Sequence, residues 1–335
     1  MSKSLPPKFI ISLGRYIWTT MWKIMMSQMA PSSKSGEYLR PQSQSRNTIS
    51  NESGSLYPAE SGRYNLIVGM SCPWAHRTLI VRTLKGLEDA ISVTIVDPAP
   101  TEGGWKFKQT EAGCDTLAQL YQLSDPNYEG RYTVPVLWDK KTKKIVNNES
   151  SEIIVMLNSE FNSFATNPSL DLYPEDLKDK IDTWNEKTYH NVNNGVYRCG
   201  FASTQQAYEI ACNSLFTTLD ELDEALAKTR YLCGDRLTLA DVRLFTTLIR
   251  FDLAYYGIFK CSRRRIQDYT NLGAYLKDIY QLPGIADTCN LEAVKQEYYG
   301  MLFPLNPGGI IPLTPDLDLL SPHDRENIGR KSEVV

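Results

Sequence analysis

A short apolar run, a cysteine–proline pair and an amphipathic helix follow one another between residues 65 and 86, and they limit the fold narrowly. Asn65-Leu66-Ile67-Val68-Gly69-Met70 reads as a buried strand. Thr78 to Lys85 carries apolar residues at a spacing that suits a helix packed on a sheet, and Gly86 suits its stop. Pro73 fits the first helical turn, where no backbone N–H is needed. Ile91-Ser92-Val93-Thr94-Ile95-Val96 then reads as a second strand, ended by Asp97-Pro98. Strand, helix and strand in this order predict a right-handed parallel unit. Cys72 falls at or just before the helix N-terminus, where unpaired N–H groups and the helix dipole favour an anion. A cysteine so placed is expected to have a depressed pKa and to be largely thiolate. Ala75 offers no resolving thiol, so the site has one cysteine. The competing reading is a buried, inert cysteine after a strand.

A chain of 335 residues suggests two domains. A formal net charge of −3 gives no support for nucleic acid as a partner. Seven scattered cysteines, an odd number with no C-x-x-C pair, argue against a secreted disulfide framework and for a reducing compartment. Histidine occurs only at 76, 190 and 323, and no Cys/His cluster has zinc-site spacing, so no metal is expected.

Residues 8–29 are rich in Ile, Trp and Met but are interrupted by Arg15 and Lys23, which makes them too polar for a membrane span. They lack the features of a signal peptide. An amphipathic helix is predicted, packed on the body or a second subunit, with attachment to a membrane surface as the alternative. Residues 31–62 read as an extended arm. Residues 99–130 read as an irregular insert with a short helix near 116–123. Val134–Asp139 and Lys144–Asn147 are spaced as an antiparallel hairpin, and Asn148-Glu149-Ser150 opens a helix. The order β-α-β-(insert)-β-β-α is a thioredoxin-like arrangement. Helices are predicted at 174–194, 203–228, 238–256, 271–280 and 284–297, followed by a Pro- and Gly-rich extended tail. The resulting divisions are 1–61 for the N-terminal helix and arm, 62–165 for the thioredoxin-like domain, 166–300 for the helical domain and 301–335 for the tail.

Two further motifs give Cys72 a ligand. Thr133-Val134-Pro135 places a proline at a strand start, either as a cis bond that frees the Val134 backbone for a peptide-like ligand or as a trans proline at a strand edge. Glu149-Ser150 reads equally as an ordinary helix cap or as a clamp, with helix N–H groups for a carboxylate and Glu149 for an ammonium. Thiolate, strand edge and clamp together describe a glutathione site. The Arg263-Arg264-Arg265 run reads as a solvated face, and His76, four residues along a helix, is given no catalytic role.

Cys72-Pro73-Trp74-Ala75-His76-Arg77, Gly104-Trp105, Tyr132 to Asp139 and Asn148-Glu149-Ser150 resemble the glutathionyl-hydroquinone reductases, the Xi class of glutathione transferases, related to the Omega class. Asn193 to Tyr197, Tyr231 to Thr238, Arg250-Phe251-Asp252 and Tyr298-Tyr299 extend the resemblance over roughly residues 36–315. It implies an α/β plus all-α protein, with an N-terminal thioredoxin-like domain followed by a C-terminal glutathione-transferase helical bundle. It also implies Cys72 as nucleophile, with Tyr197 and Tyr298 acting on the hydroquinone. Trp105, Arg131, Val134, Glu149 and Ser150 would hold glutathione as co-substrate, and Tyr255 would contact the aromatic substrate. A cytoplasmic homodimer acting on aromatic glutathionyl conjugates is the corresponding expectation. The alternatives are an Omega-like thiol transferase or dehydroascorbate reductase, and a non-catalytic glutathione-binding scaffold. The chain departs from the family pattern at Ser45 (usually Phe), Ile258 (usually His) and Met301-Leu302 (usually Ser-His).

Overall fold

The computed structural model describes residues 7–99, 102, 104–313 and 315–328. Helix α1 (Lys8–Met29) precedes the extended arm. Strand β1 (Tyr64–Val68), every residue of which is buried, forms the centre of a six-stranded sheet. Helix α2 (Pro73–Lys85) carries the chain to β2 (Ser92–Ala99), which lies parallel to β1 with Asn65 opposite Ser92 and Val68 opposite Ile95. Strands β3 (Gly104–Glu111) and β4 (Cys114–Thr116) extend one edge, and helix α3 (Leu117–Ser124) follows. Strands β5 (Val136–Asp139) and β6 (Lys144–Asn147) complete the other edge, in the order β4-β3-β2-β1-β5-β6. Helix α4 (Ser150–Ser159) packs beside α2.

The expectation of an irregular insert over 99–130 is corrected by the β3–β4 hairpin. Only Phe107 of β3 is buried, so the hairpin has no apolar run for the sequence to display. Gly113, with φ 83°, and Ala112, with φ 52°, make its tight turn.

The helical part comprises α5 (Lys178–Thr188), α6 (Gly195–Gly200), α7 (Gln205–Leu226), α8 (Leu239–Arg250), the single turn α9 (Tyr256–Ile258), α10 (Thr270–Tyr280) and α11 (Leu291–Met301). Two predicted helices are interrupted by π-turns, Tyr189–Asn193 and Phe251–Tyr255. The helix predicted at 284–297 instead starts at Leu291. Asn290 caps it by accepting from Ala293 N at 2.9 Å, and Gly284 takes φ 77° before it. Beyond α11 the tail is extended, as its prolines suggest, and is anchored by Arg325, whose buried Nη2 donates to Leu226, Thr229 and Arg230 carbonyls. The tail predicted for 329–335 lies outside the described residues.

Helix α2 is covered on several sides, by α4 and by α8 as well as by the sheet, so Pro73 through Val81 are all buried. Its C-terminus is closed by Gly86 in the left-handed region, with Leu87 N–H donating to Arg82 O at 2.9 Å and Gly86 N–H to Thr83 O at 3.0 Å. A Cβ at Gly86 would collide with Thr166 Oγ1, at the start of the link to the helical part. Gly86→Ala is therefore expected to cost about 1–3 kcal/mol from backbone strain and the clash. Urea denaturation measures this, and an unchanged midpoint would contradict the account.

Candidate active site

Cys72 caps α2 with an extended backbone (φ −72°, ψ 118°). Its Sγ lies 3.5 Å from Val134 O, immediately before the cis Val134–Pro135 bond. Of the two readings of the Val-Pro motif, the cis form is the one present. Burial pushes the Cys72 thiol up. The Ala75 and Trp74 N–H groups and the Arg250 and Arg40 guanidiniums pull it down, but only in part. The net direction is opposite to the one expected from the sequence, because a helix start is visible in sequence and the depth of the sulfur is not.

The loop leading into Cys72 is held from the helical part. Arg250, at the end of α8 and itself buried, donates from Nε to Ser71 O at 2.7 Å and from Nη2 to Met70 O at 3.2 Å. Its Nη1 bonds Thr246 O at 2.8 Å and His76 Nδ1 at 3.0 Å. His76 Nδ1 is thus the acceptor, and Nε2 donates to Thr288 Oγ1 at 2.8 Å. Burial and the Arg250 charge hold His76 well below the usual imidazole range, so it is neutral and structural.

On the sheet side, the Trp105 ring lies so close to Gly69 that a Cβ there would overlap it. Glu149 caps α4, accepting at Oε1 from Ser151 N–H (3.1 Å) and Ser151 Oγ (2.9 Å) and at Oε2 from Ser43 Oγ (3.0 Å). Burial works against its charge, yet these hydrogen bonds and the Arg77 guanidinium hold the carboxyl below its ordinary range. The cap reading of Glu149 is therefore realised, and the carboxylate is ionised. Ser150, buried at the first turn, is met at Oγ by Arg77 Nη1 at 3.4 Å. Arg131 is exposed, and its carbonyl accepts from Tyr128 OH at 3.0 Å.

The arm contributes residues that sequence reasoning did not assign. Asn47 N–H donates to Val146 O and Asn148 N–H to Ser45 O, each at 3.0 Å, which lays the arm along β6. Ser43 thereby reaches Glu149, and the Arg40 guanidinium sits 3.9 Å from the Trp74 ring centre. Ser45, one of the departures from the family pattern, meets Asn148 through its backbone N–H as well, at 3.2 Å.

Three tyrosines from three helical segments join their hydroxyls, and Tyr197 among them feels the charge of Cys72. Tyr298 OH meets Tyr197 OH at 2.7 Å and Tyr255 OH at 3.0 Å. Tyr197, on α6, is pushed up by burial and by the charge of Cys72. Tyr298, on α11, is pushed well up by burial. Tyr255 is wholly buried and stacked on Phe259, so it lies behind Tyr298. Ile258 is buried, whereas Met301 is exposed.

A cysteine at a helix start, a cis-proline edge beside it and a following helical bundle are the framework of a glutathione transferase. The family models described as "Glutathione S-transferase, N-terminal domain" and "Glutathione S-transferase, C-terminal domain" match residues 71–160 and 205–278. Glutathionyl-hydroquinone reductase YqjG of Escherichia coli is 50% identical over 276 residues, 80% of this chain and 84% of that protein. Glutathionyl-hydroquinone reductase PcpF of Sphingobium chlorophenolicum is 48% identical over 84% of this chain and 91% of its own. The glutathione-bound structure of the E. coli protein superposes with a TM-score of 0.81 at 46% identity, covering 84% of this chain and 96% of that one. The chain belongs to the glutathionyl-hydroquinone reductases, the Xi class of the glutathione transferase superfamily.

A second contact ties α11 to the cysteine loop: Ser71 Oγ donates to Glu297, whose carboxyl is pushed up to about 7 by burial. A carboxyl with a folded pKa above its unfolded value of 4.5 contributes stability that is complete below 4.5 and is lost as pH rises through about 7. The stability difference between wild type and Glu297→Gln should therefore change across that window in urea titrations. Parallel pH profiles would overturn this assignment.

Proposed function

We propose that the protein reduces glutathionyl-hydroquinones to hydroquinones, with Cys72 as the nucleophile and glutathione as the second substrate. The thiolate attacks the sulfur of the conjugate and forms a Cys72–glutathione disulfide. The sulfur–carbon electron pair passes to the ring carbon, which takes a proton. A second glutathione then attacks the mixed disulfide, releasing glutathione disulfide and regenerating the Cys72 thiolate. Sulfur is oxidised and the aromatic carbon reduced, so no other redox partner is required.

The observation that carries this reading is the placing of Cys72 Sγ 3.5 Å from Val134 O, with Tyr197, whose hydroxyl lies 2.7 Å from that of Tyr298, near enough to feel the charge of the sulfur. The Val134 backbone offers an edge for the cysteinyl part of glutathione. The ionised Glu149 and the α4 N-terminus at Ser150 suit its ammonium and carboxylate. The family resemblance assigns Trp105 and Arg131 to glutathione as well. The Ala75 and Trp74 N–H groups and the Arg250 and Arg40 charges favour the thiolate against the burial that raises it. Tyr298, held between two other hydroxyls, donates to the hydroquinone oxygen or the departing carbon, and Tyr255 supports it from behind. The family resemblance also supports a homodimer in the cytoplasm.

Incubation with a glutathionyl-hydroquinone should add glutathione to Cys72, detected by mass spectrometry, and Cys72→Ala should show neither the adduct nor hydroquinone release. Tyr298→Phe should lower kcat about a hundredfold while leaving adduct formation with glutathione disulfide intact. Equal hydroquinone release by Cys72→Ala would overturn the mechanism, and faster turnover of dehydroascorbate than of the conjugate would move the enzyme to Omega-like chemistry.

A further inference from the structure

Helix α1 has 22 residues, and every one from Lys8 to Met21 is exposed. Only its C-terminal end is docked: Met26 and Ala30 are buried, and Trp22 Nε1 donates to the tail carbonyl of Pro304 at 3.0 Å. At 3.6 residues per turn, Lys8, Ser12, Arg15, Thr19 and Lys23 fall on one side, and Phe9, Leu13, Ile17, Met21 and Ile24 on the other. That apolar side is bare, with Phe9 76% and Ile24 55% exposed. Most of the stability of an amphipathic helix comes from covering its apolar face, and the body covers only the last turns of α1. Packing on the body, the first of the sequence readings, is thus limited to that end.

Charge indicates what covers the rest. The helix carries three basic residues and no acidic one, in a chain of net charge −3. A second copy would bring the same cationic side with it, whereas an anionic lipid surface complements it. The exposed Tyr16 and Trp18 are side chains that settle at the headgroup level, and no helix among the described residues is long and apolar enough to cross a membrane. We propose that α1 lies in the surface of an anionic phospholipid bilayer. Its Phe9–Ile24 side enters the acyl boundary, and Lys8, Arg15 and Lys23 rest among the headgroup phosphates.

The test is co-sedimentation of the full chain with vesicles of phosphatidylcholine, with and without phosphatidylserine. Binding is expected on the anionic vesicles and is weakened by salt. Arg15→Gln and Lys23→Gln should each lower the partition coefficient about fivefold. Ile17→Asp should abolish binding, with hydroquinone reduction in solution unchanged in all three variants. Absence of binding to anionic vesicles, or equal binding by Ile17→Asp, would overturn the proposal. So would an Ile17-dependent dimer in light scattering without vesicle binding, which would assign the face to a second copy.

Discussion

Arg250 is the point on which the rest of the site depends. A guanidinium at the end of α8, wholly inside the protein, spends its donors on the carbonyls of Met70, Ser71 and Thr246 and on His76. Three of these partners belong to the loop and helix that carry Cys72, so the helical half sets the position of a sulfur built on the other half. The cost of burying the charge is offset because its hydrogen-bonding capacity is met in a rigid, planar arrangement. His76 is drawn into the same arrangement as a neutral acceptor, which explains why a histidine four residues from the cysteine takes no part in activating it.

The opposing wall of the cleft follows a similar logic. Tyr197, Tyr255 and Tyr298 come from α6, the π-turn after α8 and α11, and their hydroxyls form one short chain. Burial raises all three, so they stay protonated. The chain holds the Tyr298 hydroxyl from two sides. Glu297, next to it, reaches Ser71 beside Cys72, so both walls are fastened to one another within a residue of the reacting groups.

Much of this was legible in the order of residues. The β1–Cys–Pro–α2–β2 unit, the Val134–Pro135 edge, the Glu149 cap and the helical second half follow from period, proline and capping chemistry, which act over a few residues. The β3–β4 hairpin escaped because one buried residue, Phe107, leaves no period to read. The start of α11 was displaced because a cap at Asn290 overrode the apolar pattern before it. The positions of Arg40 and Ser43 could not be read at all: Ser43 lies 106 residues from Glu149 in the chain and Arg40 is likewise far from Trp74, and nothing local says where an extended arm will be laid.

By itself, then, the sequence determined the β-α-β unit and the helical second half, which cysteine stands at a helix start and what family of chemistry its motifs belong to. Tertiary structure alone decided how that cysteine is poised. Its thiol is raised by burial and drawn back by charges and N–H groups from the arm, α2 and α8, a balance of desolvation against distant partners. Desolvation depends on everything that surrounds the sulfur, and those surroundings are assembled from segments that only the folded chain brings together.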